Sequence, residues 1–110
     1  MKCLTVQIHP LRDVTYTYKD LLFWVRDAGR SPEVDIVDED DGQWINLNFF
    51  SEDLLLLWRD LESVLKTQPE LAAWLARVGI IACEGKNGWD DLRLLAHFDH
   101  SEVTTTLSEH

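Results

Sequence analysis

The residues best equipped for chemistry lie near the C-terminal end of the chain: His97, Asp99 and His100. His97 and Asp99 are two apart, so on an extended strand they share a face. Imidazole and carboxylate together suit zinc or another transition metal. His9, at the end of the first apolar alternation, would add a third ligand if the first and last strands come close. Short His/Asp groupings also arise by chance, and the plainer alternative is a solvated strand end. The run Asp38-Glu39-Asp40-Asp41-Gly42 invites calcium. An EF-hand loop needs acceptors at positions one, three and five and glycine at six. With Gly42 at six, Val37 falls at one and cannot ligate. Cys3 and Cys83 have no CxxC or Cys/His zinc spacing. Cys83 precedes Glu84, and no cationic neighbour lowers its pKa. There is no GxSxG elbow, and each glycine fits a cap or a turn rather than a phosphate cradle. The chain therefore offers no convincing catalytic, metal or cofactor set, and the expectation is a protein that is not an enzyme and needs no cofactor.

Charge narrows the field further. Among 110 residues there are 20 Asp and Glu against 10 Lys and Arg, a formal net charge of -10. The basic residues are scattered singly, whereas phosphate recognition needs them clustered. Direct nucleic-acid contact is thus disfavoured, and an anionic membrane surface for the same reason. The apolar runs, Leu54 to Trp58 among them, are far short of a membrane span. The first residues are too polar for a signal peptide, so a cytoplasmic location is expected. Acidity alone can serve solubility; its sharper meaning is a basic partner reached by electrostatic steering.

The elements that position these residues follow from periodicity. Lys2 to His9 alternates, with Leu4, Val6 and Ile8 on one face, and Pro10 ends the strand. Thr17 to Asp20 has the capping-box form. It opens a helix over about Tyr18 to Ala28, whose apolar face Phe23 and Trp24 broaden towards a second packing side. Glu33 to Asp38 and Gln43 to Phe50 are alternating runs joined by an Asp-Gly turn, a β-hairpin signal. Ser51 reads as the cap of a helix carrying Leu54, Leu57, Trp58, Leu61, Val64 and Leu65 at helical spacing. Pro69 starts another helix, which Gly79 closes. Ile80 to Glu84 and a strand within Trp89 to Phe98 form a second hairpin around Asn87-Gly88, with Leu92, Leu94, Ala96 and Phe98 on one side. A disulfide between Cys3 and Cys83 would require neighbouring strands.

The order β-α-β-β-α-α-β-β predicts an α+β fold. Its plan would be the split βαβ, ferredoxin-like arrangement or a related two-layer sandwich, with helices on one face of a mainly antiparallel sheet. The runner-up is a meander with the first strand at an edge. Residues 1–100 read as one domain and residues 101–110 as a polar tail, expected to be flexible.

Once the core is built, Trp44, Asn46 and Asn48 look outward on the third strand, beside Glu33, Asp35 and Val37 on the second. Exposed aromatics with hydrogen-bonding neighbours have the composition of interface hot spots. The acidic turn Asp38, Glu39, Asp40 and Asp41 is a second candidate contact, and Trp89, Asp90 and Asp91 repeat the theme after the other turn. A small acidic domain of this kind resembles, as a class and not by any motif, toxin-immunity proteins, antitoxin-like inhibitors and nucleic-acid mimics. The expected function is therefore binding and neutralising a basic protein, such as a nuclease toxin domain. The alternative is a homo-oligomeric accessory or small-ligand-binding module that uses the open sheet face, a homodimer included.

Overall fold

The computed structural model describes residues 1–40 and 42–107; Asp41 and residues 108–110 lie outside the described residues. The chain runs β1 (Lys2–Ile8), a 3-10 turn (Pro10–Arg12), α1 (Tyr18–Asp27), β2 (Glu33–Glu39), β3 (Gly42–Ser51), α2 (Leu54–Thr67), α3 (Pro69–Val78), β4 (Gly79–Gly85) and β5 (Gly88–His97). It is an α+β protein with a five-stranded sheet in the order β2-β3-β1-β4-β5. Every neighbouring pair is antiparallel. β1 therefore sits at the centre of the sheet, and the meander that placed it at an edge is set aside.

One parity of the strands builds the core. Leu4, Val6 and Ile8 pair with Phe49, Leu47 and Ile45 of β3, and Leu4 and Val6 with Cys83 and Ile81 of β4. All are buried, in one cluster with Leu21 and Val25 of α1, Leu57 and Leu61 of α2, and Trp74 and Leu75 of α3. The apolar stripes and the inward sheet face thus remove each other's surface from water. The capping box at the start of α1 is formed, with the Thr17 amide donating to Asp20 Oδ2 at 2.8 Å.

Several expectations are corrected. The cap of α2 is Asp53, whose carboxylate accepts from the Leu56 amide at 3.0 Å. Ser51 is still held in β3, opposite Lys2. Phe23 does not pack on a second side; it is 63% exposed. Val34 and Ile36 have the inward parity, beside Leu47 and Ile45, yet they are 38% and 49% exposed. Their strand is the sheet edge, and the helices cover its inner side only in part. On β5 the expected common side of Leu92, Leu94, Ala96 and Phe98 is broken. Ile81 pairs with Ala96 but Ala82 with Leu94, so Leu95 is an inserted bulge residue. A bulge reverses the parity of everything beyond it, and Leu94 turns to the face opposite Ala96. Finally, β1 and β4 are neighbours, but Leu4 is opposite Cys83. Cys3 and Cys83 consequently point to opposite faces, and both thiols are free.

Candidate functional site

The sheet face away from the helices is built by the other parity. Cross-strand register sets Glu33 beside Asn48, Asp35 beside Asn46, and Val37 beside Trp44. On the other side of β3, Asn48 faces Thr5 and Asn46 faces Gln7. Acids, amides and an indole therefore form one continuous strip. Glu33 and Asp35 are exposed, whereas Trp44, Asn46 and Asn48 are half-buried. The strip is partly fixed from within: the Thr5 hydroxyl donates to Asn48 Oδ1 at 2.7 Å. Asn46 Oδ1, in the middle, is sealed from solvent and has no hydrogen-bond partner among the described residues. Such a group costs about 1–3 kcal/mol.

Trp44 is not isolated. The His9 ring lies 5.6 Å from it, centroid to centroid, and 5.2 Å from Phe98. The Arg12 guanidinium sits 3.8 Å over the Phe98 ring, close enough for a cation–π contact. His9 Nε2 is 2.8 Å from Gln7 Oε1. The 3-10 turn after β1 thus brings Arg12 back against Phe98, the residue just past β5, and closes an aromatic corner at one end of the face. His9 carried a sequence signal, since it continues the outward parity of Thr5 and Gln7. Arg12 and Phe98 carried none, because their meeting depends on the turn geometry.

That corner bears on the metal question. His9 does come near the end of β5, through Phe98. But His97 Nδ1 accepts the Asp99 amide at 2.9 Å, and Asp99 Oδ1 accepts the hydroxyl and amide of Ser101. Those bonds hold the Asp99 carboxyl below its ordinary range. Among the described residues no group of three or more His, Cys, Asp or Glu is placed to hold a metal ion. Burial pushes both the Cys3 and the Cys83 thiol up from the ordinary cysteine value, which suits structural rather than nucleophilic sulfur.

The two acidic turns do not meet. Asp38 and Glu39 end β2 and Asp40 follows in the turn, with Gln43 Nε2 donating to Asp38 Oδ1 at 2.9 Å. This turn lies at the His9 end of the sheet, whereas Trp89, Asp90 and Asp91 begin β5 at the Lys2 end, where Lys2 Nζ donates to the Gly85 carbonyl. The seven-pair register from Lys2 to Ile8 separates those ends by about 20 Å at strand rise. They also belong to opposite edges of the sheet. Trp89 is 45% exposed and Asp90 and Asp91 are exposed. Asp38, Glu39, Asp40, Trp44, Asn46 and Asn48 thus form one neighbourhood, and Trp89, Asp90 and Asp91 another.

Among the described residues no helix is long and apolar enough to cross a membrane. Compared with models of known protein families, with curated proteins and with solved structures, the chain matches none.

Proposed function

We propose that the chain is an acidic protein-binding domain of the inhibitor or immunity type, without catalytic activity of its own, which neutralises a basic protein such as a nuclease toxin domain. The observation that carries this reading is the β2–β3 register. It joins Glu33, Asp35, Asn46, Asn48 and Trp44 into one strip that runs to Glu39 and the turn at Asp40; Asp38, opposite Gln43, stands at the same end with the other parity. An indole anchor flanked by amides and rimmed by acids suits a partner with the opposite charge. The net charge of -10 adds long-range attraction for such a partner, and scattered Lys and Arg disfavour nucleic acid itself. The unsatisfied Asn46 oxygen is a cost retained at the centre of the strip.

For the scaffold, we read the sheet as the split βαβ, ferredoxin-like plan extended by the β4–β5 hairpin. Support comes from the order β2-β3-β1-β4, in which β3 is antiparallel to both β1 and β2.

The test is parallel capture from the native lysate with wild-type protein and with Asp35→Lys/Asp38→Lys/Asp40→Lys. A basic protein retained by the wild type, lost by the variant, and released near 1 M salt, where the screening length falls to about 3 Å, is the expected result. An acidic or neutral partner held equally by both proteins would refute the reading.

A further inference from the structure

Resting on the reading above, we propose that the exposed edge strand β2 is where the partner docks, accepting an extended segment of alternating apolar and basic residues as a sixth strand.

The two edges of the sheet differ. On β5, the Thr105 amide donates to the Leu94 carbonyl at 2.7 Å, so the chain after the strand covers part of that edge. β2 is the other edge. An edge strand presents a row of unpaired amides and carbonyls, which proteins blunt with charged side chains, lysine above all, or with proline or a bulge. β2 has no lysine, proline or bulge, and its only charges are acids: its seven residues, EVDIVDE, pair with β3 in unbroken register.

Its two faces have different chemistry. On the helix side, Val34 and Ile36 are 38% and 49% exposed, and Asp38 follows them at the turn end. Phe23, 63% exposed, stands with Val34, Leu22 and Tyr18 along a groove beside α1, whose outer wall carries Lys19, Arg26 and Asp27. On the open side stand Glu33, Asp35 and Glu39, continuous with Asn46 and Asn48 of β3. Side chains of an added strand would alternate between these faces. Apolar ones would meet Phe23, Val34 and Ile36; basic ones would meet the acids, since opposite charges across strands attract. Backbone pairing would supply affinity and the alternation specificity.

A second copy of the chain does not fit. In an antiparallel β2–β2 pair centred on Ile36, Glu33 of one copy would lie opposite Glu39 of the other, and like charges directly opposite are destabilising. Acidity therefore guards the edge against self-pairing and becomes attraction only for a basic strand.

The test uses three synthetic peptides matched to β2 in length: alternating Lys and Val, the same composition in blocks, and alternating Glu and Val. Backbone NMR of the full chain reports affinity, salt dependence and amide exchange. The alternating Lys/Val peptide should bind, slow exchange at every second amide of β2, and lose affinity with salt. The block peptide, and the variants Ile36→Thr and Asp35→Lys, should each weaken binding by about tenfold or more. Both substitutions are at exposed positions, and unchanged circular dichroism confirms that the variants fold. Failure of the alternating peptide to bind, equal binding of the block peptide, or self-association through β2 overturns the proposal. Salt-sensitive binding mapped to Trp44 and Asn46 overturns the edge but leaves the acidic-face reading standing. Salt-insensitive binding of all three peptides removes both.

Discussion

Replacing Trp74 by phenylalanine tests what holds the 10–17 segment, and with it the aromatic corner, against α3. Trp74 is fully buried. Its Nε1–H donates to the Asp13 carbonyl at 2.9 Å, and Tyr16 meets its ring edge-on at 6.1 Å. Phenylalanine keeps most of the aromatic body but loses the donor. Leaving a part-buried carbonyl without its partner costs about 1–3 kcal/mol. The few tens of Å³ between indole and benzene, at about 24 cal/mol per Å³ of residual cavity, add roughly 1 kcal/mol. The sum is about 2–4 kcal/mol. At about 4 °C per kcal/mol for a domain of this size, Tm should fall by roughly 8–16 °C. The assay is urea unfolding followed by far-ultraviolet circular dichroism, because the other indoles also fluoresce. The midpoint should fall with an unchanged slope. Arg12 should also loosen over Phe98, which ring-proton shifts of Phe98 would report. A loss under about 0.5 kcal/mol, the range of an incidental surface change, would refute the anchoring role.

Two further outcomes follow from local geometry. A Cβ at Gly85 would collide with the Asp91 carbonyl oxygen, so Gly85→Ala must displace the β4–β5 backbone. It should cost about 1–3 kcal/mol as overpacking does and shift the Trp89 and Asp91 amide signals; unchanged stability and spectra would disprove the close approach. Asp13 is held down at about 2, first by the Thr15 hydroxyl, then by the Thr15 amide and Arg77. A lowered carboxylate favours the fold fully above its ordinary value of 3.8, and that contribution is lost as pH falls through about 2. Carboxyl-carbon NMR should give a midpoint near the lower value, and one at the ordinary value would show that these bonds do not persist.

The central architecture was legible because its signals were redundant. Leu4, Val6 and Ile8 alternate, and so do Ile45, Leu47 and Phe49, and each set finds the other across the β1–β3 ladder. The Thr17–Asp20 box marked the start of α1. Parity also predicted which side of β3 carries Trp44, Asn46 and Asn48. The misses have a common cause: periodicity reports which face a residue takes, not what covers that face. Val34 and Ile36 have core parity on a strand the helices only partly cover, and Phe23 has an apolar side chain with no second layer beneath it. At Leu95 a single inserted residue reversed the sides of β5. The meeting of Arg12, His9 and Phe98, and the separation of the two acidic turns, depend on strand order, which no local pattern encodes.

The most direct measurement of the central claim is association and dissociation kinetics against the captured basic partner, at low and high salt. The strip predicts a division of labour between its residues. Asp35→Lys/Asp38→Lys/Asp40→Lys should slow association strongly at low salt and change dissociation little, because rim charges act on encounter. Trp44→Ala should leave association nearly unchanged and speed dissociation by about thirtyfold, the equivalent of about 2 kcal/mol for a desolvated aromatic anchor. Association that ignores both salt and the triple reversal, together with wild-type dissociation in Trp44→Ala, would contradict the account and move the contact away from the β2–β3 strip.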